Sequence, residues 1–147
     1  MNELSQRQKI MLAALAAGNE SAFAPVQVQK LFFLLDQNIA PDLGGKQFSF
    51  EPYDYGPFDR DVYSELEALA RRGFVTIEAT AGADRRKFLL TPAGYENGRQ
   101  ALRKLSSRAQ NYLPRVSSWV RSLNFAELVG AIYKQYPDMK VNSVFRD

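Results

Sequence analysis

Apolar residues recur at helical spacing through the first third of the chain and again through its last half, with short alternating stretches between. Ile10 to Ala17 is an unbroken apolar run. Ser5 and Gln8, three apart, predict a capping box ahead of it, and Gly18-Asn19 ends that first helix. Ala24-Pro25 sets a proline in a first helical turn, and Val28, Leu31, Phe32 and Leu35 follow at i, i+3, i+4 and i+7, predicting a second helix to about Asn38. Pro41 to Lys46 reads as a loop. Gln47 to Glu51 alternates polar and apolar and predicts a short half-buried strand. Tyr53 to Phe58 is a turn into a third helix with Pro57 in its first turn, a buried stripe of Phe58, Val62, Leu66 and Leu69, and a left-handed stop at Gly73.

Phe74 to Glu78 and Arg86 to Leu90 are β-prone runs joined through Gly82 and Asp84, which predicts a hairpin with Arg85, Arg86 and Lys87 at a basic tip. Thr91-Pro92 then caps and opens another helix. Tyr95, Gly98, Leu102, Leu105, Ala109, Tyr112, Val116, Trp119 and Leu123 keep spacings of three and four. Pro114 interrupts this stripe, predicting a helix to about Tyr112 and a kink or fresh helix beyond. A last helix runs from an Asn124 cap, with Glu127 three residues on, and stops before Pro137. Asp138 to Asp147 shows no period. This order predicts an α+β, mainly helical fold: a winged helix-turn-helix core over residues 1–91 and a C-terminal helical extension over 92–147, packed as a single compact unit.

The 147 residues are 46% hydrophobic and 24% charged, the balance of one compact domain. The chain contains neither Cys nor His. That excludes thiol nucleophiles, imidazole bases, the Ser-His-Asp triad, disulfides, and zinc sites built on those ligands. Asp59 and Asp61 point to different sides of a helix, as do Glu65 and Glu67, so neither makes a carboxylate pair. Gly44-Gly45-Lys46 lacks the spacing and the following Ser or Thr of a phosphate loop. We therefore expect no catalysis, no metal and no cofactor. The longest apolar run falls well short of the roughly 20 residues of a membrane span, and Met1-Asn2-Glu3 lacks the basic start of a signal peptide, so the expected location is cytoplasmic.

Charge divides the chain. Residues 1–83 carry 7 basic and 11 acidic groups, net −4, whereas residues 84–147 carry 12 basic and 5 acidic, net +7. Arg99, Arg103, Lys104, Arg108, Arg115 and Arg121 fall in a stretch from Asn97 to Ala126 without one acid, a field that attracts phosphates or an acidic partner. The third helix has the opposite character. Asp59, Asp61, Glu65 and Glu67 outnumber Arg60, Arg71 and Arg72, with no Asn or Gln to read a base edge. Tyr53 and Tyr55 flank Asp54 beside the turn; they suit a recognition surface, or else one ring packs under the third helix. Phe32, Phe33 and Trp119 are expected in the core or an interface.

Phe50-Glu51-Pro52-Tyr53-Asp54-Tyr55-Gly56-Pro57-Phe58, with the helix ending at Leu69 to Val75, resembles the strand, aromatic-Gly-Pro turn and helix of bacterial winged-helix proteins of the YwgA-like and Panacea (SocA-like) groups. Leu90-Thr91-Pro92-Ala93-Gly94 is similar to the wing-to-helix junction of MarR-like and PadR-like regulators. Phe125 to Leu128, Ile132-Tyr133 and Tyr136-Pro137 resemble the end of YwgA-like chains. The likeness implies a winged helix and a role as a transcriptional regulator or as an antitoxin that binds a protein.

Two expectations follow. The first is a homodimeric regulator, paired through its aromatic C-terminal helices. It would bind double-stranded DNA through Arg85, Arg86, Lys87, Arg99, Arg103, Lys104 and Arg108. The second is a protein-interaction module, an antitoxin or adaptor, docking a partner such as a toxin through Tyr53, Tyr55, Phe58, Asp59 and Asp61.

Overall fold

A computed structural model describes residues 3–18, 20–79 and 86–145. These residues form a mainly helical α+β fold of six helices and two small two-stranded antiparallel sheets. The first helix, α1 (Gln6–Ala16), opens on the predicted capping box: the Ser5 hydroxyl accepts from the Gln8 N–H at 3.0 Å, and the Gln8 side chain accepts from the Ser5 N–H at 3.0 Å. Ile10 to Leu15 are buried all round, and a helix with no polar face belongs at the centre of a fold. Accordingly α1 is enclosed by β4 (Lys87–Leu90), α4 (Pro92–Arg103) and α5 (Ser107–Ser122).

The tightest approach is to α4. A β-carbon on Gly98 would lie 2.4 Å from the Leu12 carbonyl oxygen and 2.7 Å from Ala16 Cβ, so glycine is what lets the two helices meet. The stripe that begins at Tyr95 is thus spent largely on packing within the chain: Gly98 meets α1, Ala109 and Val116 are buried, and Tyr95, Leu102, Leu105, Tyr112 and Leu123 pack half-buried against the core, whereas Trp119 stays 40% exposed.

The second helix, α2 (Pro25–Asn38), has the predicted ends and is buried without interruption from Val28 to Asp36, including Gln29, Lys30 and Asp36. Beyond a 3-10 turn at Ala40–Leu43 comes the strand expected over Gln47 to Glu51, of which only Glu51 pairs, opposite Phe58; the stretch from Gln47 to Phe50 forms no strand. Its N–H groups go to side chains instead. Those of Gln47 and Phe48 donate to the Asp36 carboxylate at 2.9 and 3.0 Å, and that of Ser49 donates to Asp59 at 2.7 Å. The alternation still has its effect, since Phe48 is buried and Phe50 half-buried. Pairing begins later, in a hairpin of β1 (Glu51–Tyr53) and β2 (Gly56–Phe58) with Tyr53 opposite Gly56.

Pro57 lies in β2 rather than in a helical turn, and Asp59 caps α3 (Arg60–Arg71) by accepting from the Asp61 N–H at 2.8 Å. The proline's missing N–H suits an edge strand as well as a helix start, and the carboxylate of Asp59 is the better cap. The predicted hairpin is present as β3 (Val75–Glu78) and β4, with Val75 opposite Leu90. Its tip, including Arg85, lies outside the described residues. Phe23, between α1 and α2, exchanges two backbone hydrogen bonds of 2.8 and 2.9 Å with Phe88 of β4.

Thr91 caps α4, as predicted. The break in the long stripe falls at Lys104 to Ser106, where Ser106 caps α5, and Pro114 sits inside α5. The acceptor that Pro114 deprives of its N–H is the carbonyl of Gln110, an exposed residue, so water can satisfy it. Helix α6 (Phe125–Gln135) has the predicted Asn124 and Glu127 capping box. The tail forms a 3-10 turn at Pro137–Lys140 and then crosses the first hairpin: the Val144 N–H donates to the Asp54 carbonyl at 2.9 Å and the Asn142 amide to the Pro52 carbonyl at 3.2 Å. Among the described residues no helix is long and apolar enough to cross a membrane.

Two substitutions test this packing. Gly98→Ala gains about 1 kcal/mol of helix propensity. The methyl nevertheless meets backbone of α1, and overpacking of this kind costs about 1–3 kcal/mol, so a net loss of up to about 2 kcal/mol is expected in urea unfolding. Asp36→Ala leaves the N–H groups of Gln47 and Phe48 without their acceptor; at roughly 1–3 kcal/mol for each buried group, the unfolding midpoint should fall further still.

Candidate functional site

The hairpin β1–β2 turns through Asp54 and Tyr55, and Gly56 takes φ +103°, a backbone region that favours glycine. A β-carbon there would stand 3.3 Å from the Tyr133 ring and 3.5 Å from Lys30 Nζ. Glycine therefore seats the hairpin directly on α2 and α6. The hairpin then bounds a cleft of about 650 Å³, with Lys30, Tyr53, Tyr55, Phe58, Tyr63, Lys87 and Phe125 among its lining residues.

Its aromatic lining is ordered by ring contacts. Tyr53 stacks on Phe58 at 5.1 Å, Phe58 meets the Tyr63 edge at 5.8 Å, and Tyr63 lies parallel to Phe88 at 6.0 Å. Tyr55 meets Phe125 edge-on at 5.0 Å. Although packed on one another, Tyr53, Tyr55 and Phe125 remain 55, 45 and 42% exposed.

Beneath the hairpin lies the buried polar face of α2. Gln29 holds the backbone of Asp59 from both sides: its amide donates to the Asp59 carbonyl and its carbonyl accepts from the Asp59 N–H, each at 3.0 Å. Lys30, only 3% exposed, donates to the Pro57 carbonyl at 3.1 Å. No carboxylate lies within 4 Å of its ammonium among the described residues. Burial draws its pKa from 10.5 down to about 7. Burial also raises the Asp36 carboxyl above its usual range, against the pull of the two N–H groups it accepts.

Of the residues expected to bind a partner, Tyr53, Tyr55 and Phe58 share this cleft, whereas Asp59 and Asp61 serve the fold. Asp59 caps α3 and holds Ser49, and Asp61 lies 3.8 Å from Arg7, which also pairs with Glu65 at 2.7 Å. The expected nucleic-acid residues divide in the same way. Arg86 stacks over Tyr63 at 4.6 Å and lies 4.0 Å from Glu67 on α3. Arg99 meets Glu20 at 3.3 Å, and Arg108 lies 3.6 Å from Asp42 and donates to the Asn38 carbonyl. Each of these three arginines faces a carboxylate from the acidic half, on a different element. Lys87, Arg103 and Lys104 are exposed, and Arg85 lies outside the described residues. Arg121, from the same acid-free stretch, donates to the carbonyls of Ala17 and Ser21 and covers the Phe23 ring at 4.5 Å, pinning the exit from α1.

Sequence reasoning missed Lys30, Tyr63 and Phe125. Their signal is faint: Phe33 and Leu34, lying off the predicted stripe of α2, hint that this helix is buried on a second face and that Lys30 goes in with it.

The sign of the Lys30 effect is testable. Below pH 7 the amine is charged in both folded and unfolded chains and the full burial penalty applies. Between about pH 7 and 10.5 the folded chain has released a proton that the unfolded chain keeps, so stability rises with pH. Lys30→Met should raise unfolding free energy at pH 6 by on the order of 3–5 kcal/mol and abolish that part of the rise, read by urea unfolding from pH 6 to 10. In comparisons with known proteins, neither a family model nor a curated protein matches this chain.

Proposed function

We propose that the chain is a winged-helix protein-interaction module, of the antitoxin or adaptor kind, that docks a partner protein in the cleft between the β1–β2 hairpin and the start of α6. The observation that carries this reading is the grouping of Tyr53, Tyr55 and Phe125, all substantially exposed, at one cleft. Tyrosines that offer an apolar face and a hydroxyl are favoured anchors of protein interfaces. The winged-helix part is supported by three helices followed by a hairpin, and by the Phe23 to Phe88 pairing that ties the hairpin to the α1–α2 connection. The resemblance of residues 50–58 to the Panacea group points the same way.

A second reading, duplex DNA binding, is favoured by Lys87, Arg103 and Lys104, which are exposed and have no carboxylate within 4 Å among the described residues. It would show as a salt slope of about 0.9 per phosphate contact.

The docking reading is tested by capturing partners with the full chain in its native cells, identifying them by mass spectrometry, and measuring the purified pair. Tyr53→Ala with Phe125→Ala should weaken the complex at least tenfold while circular dichroism stays unchanged. Undiminished binding by the double variant would remove the reading. Salt-dependent duplex binding that Lys87→Ala weakens, with no protein partner, would put the second in its place.

A further inference from the structure

We infer that the occupant of the cleft is the C-terminal residue of a partner chain, its carboxylate on the Lys30 ammonium and its bulky apolar side chain against Tyr53, Tyr55 and Phe125. The inference rests on the docking reading above and specifies its ligand. Lys30 is the starting point. An ammonium has three N–H donors; here one acceptor is in place, the Pro57 carbonyl at 3.1 Å, and the side chain is 3% exposed. Buried charges are ordinarily paired, and among the described residues no carboxylate reaches this one.

The charges at the cleft also fit an anion. Buried Lys30 and exposed Lys87 both line it, against the single carboxylate of Asp54 among the lining residues. Gln29, the other buried polar group there, has both ends engaged by Asp59. Gly56 and Pro57, which the structure sets against the end of Lys30, carry no charge. Because burial holds the amine near pKa 7, it exchanges readily between neutral and charged forms, and an arriving carboxylate would hold it charged.

Depth selects a chain end over an internal acidic side chain. The amine lies behind the β1–β2 hairpin, where a terminal carboxylate can enter with its backbone leaving on one side. An internal residue must fit backbone on both sides. The aromatic rings at the mouth then take the side chain of that last residue, with apolar contact supplying affinity and the ammonium supplying selection.

The probes are N-acetyl-L-phenylalanine and its C-terminal amide, identical in shape and differing in charge, titrated into the ¹⁵N-labelled full chain at pH 6.5. The acid should shift the amide signals of Tyr55, Gly56 and Phe125 and bind at least tenfold more tightly than the amide. Lys30→Met should bring the two within about twofold, whereas Lys87→Met should leave most of the preference. Equal binding of acid and amide by the unaltered chain, a preference that survives Lys30→Met, or no binding of either probe would overturn the inference. Equal binding leaves the docking reading standing. Failure of the Tyr53 and Phe125 double variant to weaken the natural complex removes that reading by a separate measurement.

Discussion

Three polar side chains buried on one helix among hydrocarbon neighbours must find partners there, and much of this structure follows from how they do so. Gln29, Lys30 and Asp36 of α2 are each at most 3% exposed. Each meets its need on the segment from Gln47 to Asp59: Asp36 on two N–H groups near its start, Lys30 on the Pro57 carbonyl, Gln29 on both backbone groups of Asp59. A buried donor or acceptor left unmade costs about 1–3 kcal/mol. These contacts therefore set the path of a segment that has little regular structure of its own. That path fixes where the hairpin stands, and the hairpin forms one side of the cleft.

The same segment links packing to chemistry. Gly56 lets the hairpin press against α2 and α6, which encloses Lys30 and draws its pKa down, while the turn two residues earlier leaves Tyr53 and Tyr55 facing outward. A buried amine with one protein acceptor beside an aromatic mouth joins a source of selectivity to a source of affinity. The tail adds to this side of the molecule, since Phe145 packs near Phe125 and Tyr133 and the residues before it bond the backbone of the turn.

Charge asymmetry along a chain need not become charge asymmetry on its surface. The acidic first half and the basic second half meet through Arg86 and Glu67, Arg99 and Glu20, and Arg108 and Asp42, and Arg121 is occupied with the carbonyls at the end of α1. Such exposed pairs contribute little stability each, typically below about 1 kcal/mol. They do reduce the positive field available to a polyanion. The acidic face of α3 is likewise answered by Arg7, which pairs with Glu65 and covers Phe48.

Local chemistry was legible without coordinates. The caps at Ser5, Thr91 and Asn124, the proline opening α2, the glycine after α3 and the β-hairpin all follow from short-range rules, because a cap or a turn is satisfied by residues within three or four positions. What tertiary structure alone decided are the matters in which the partner is far along the chain: that Gln47 to Ser49 bond side chains rather than a strand, that the long stripe breaks at Ser106 and tolerates Pro114, that three arginines face carboxylates from the other half, and that buried Lys30 lines one cleft with Phe125, nearly a hundred positions away. Periodicity shows which side of a helix is apolar, but whether its other side also meets protein depends on how many neighbours arrive, and that is a property of the assembled chain.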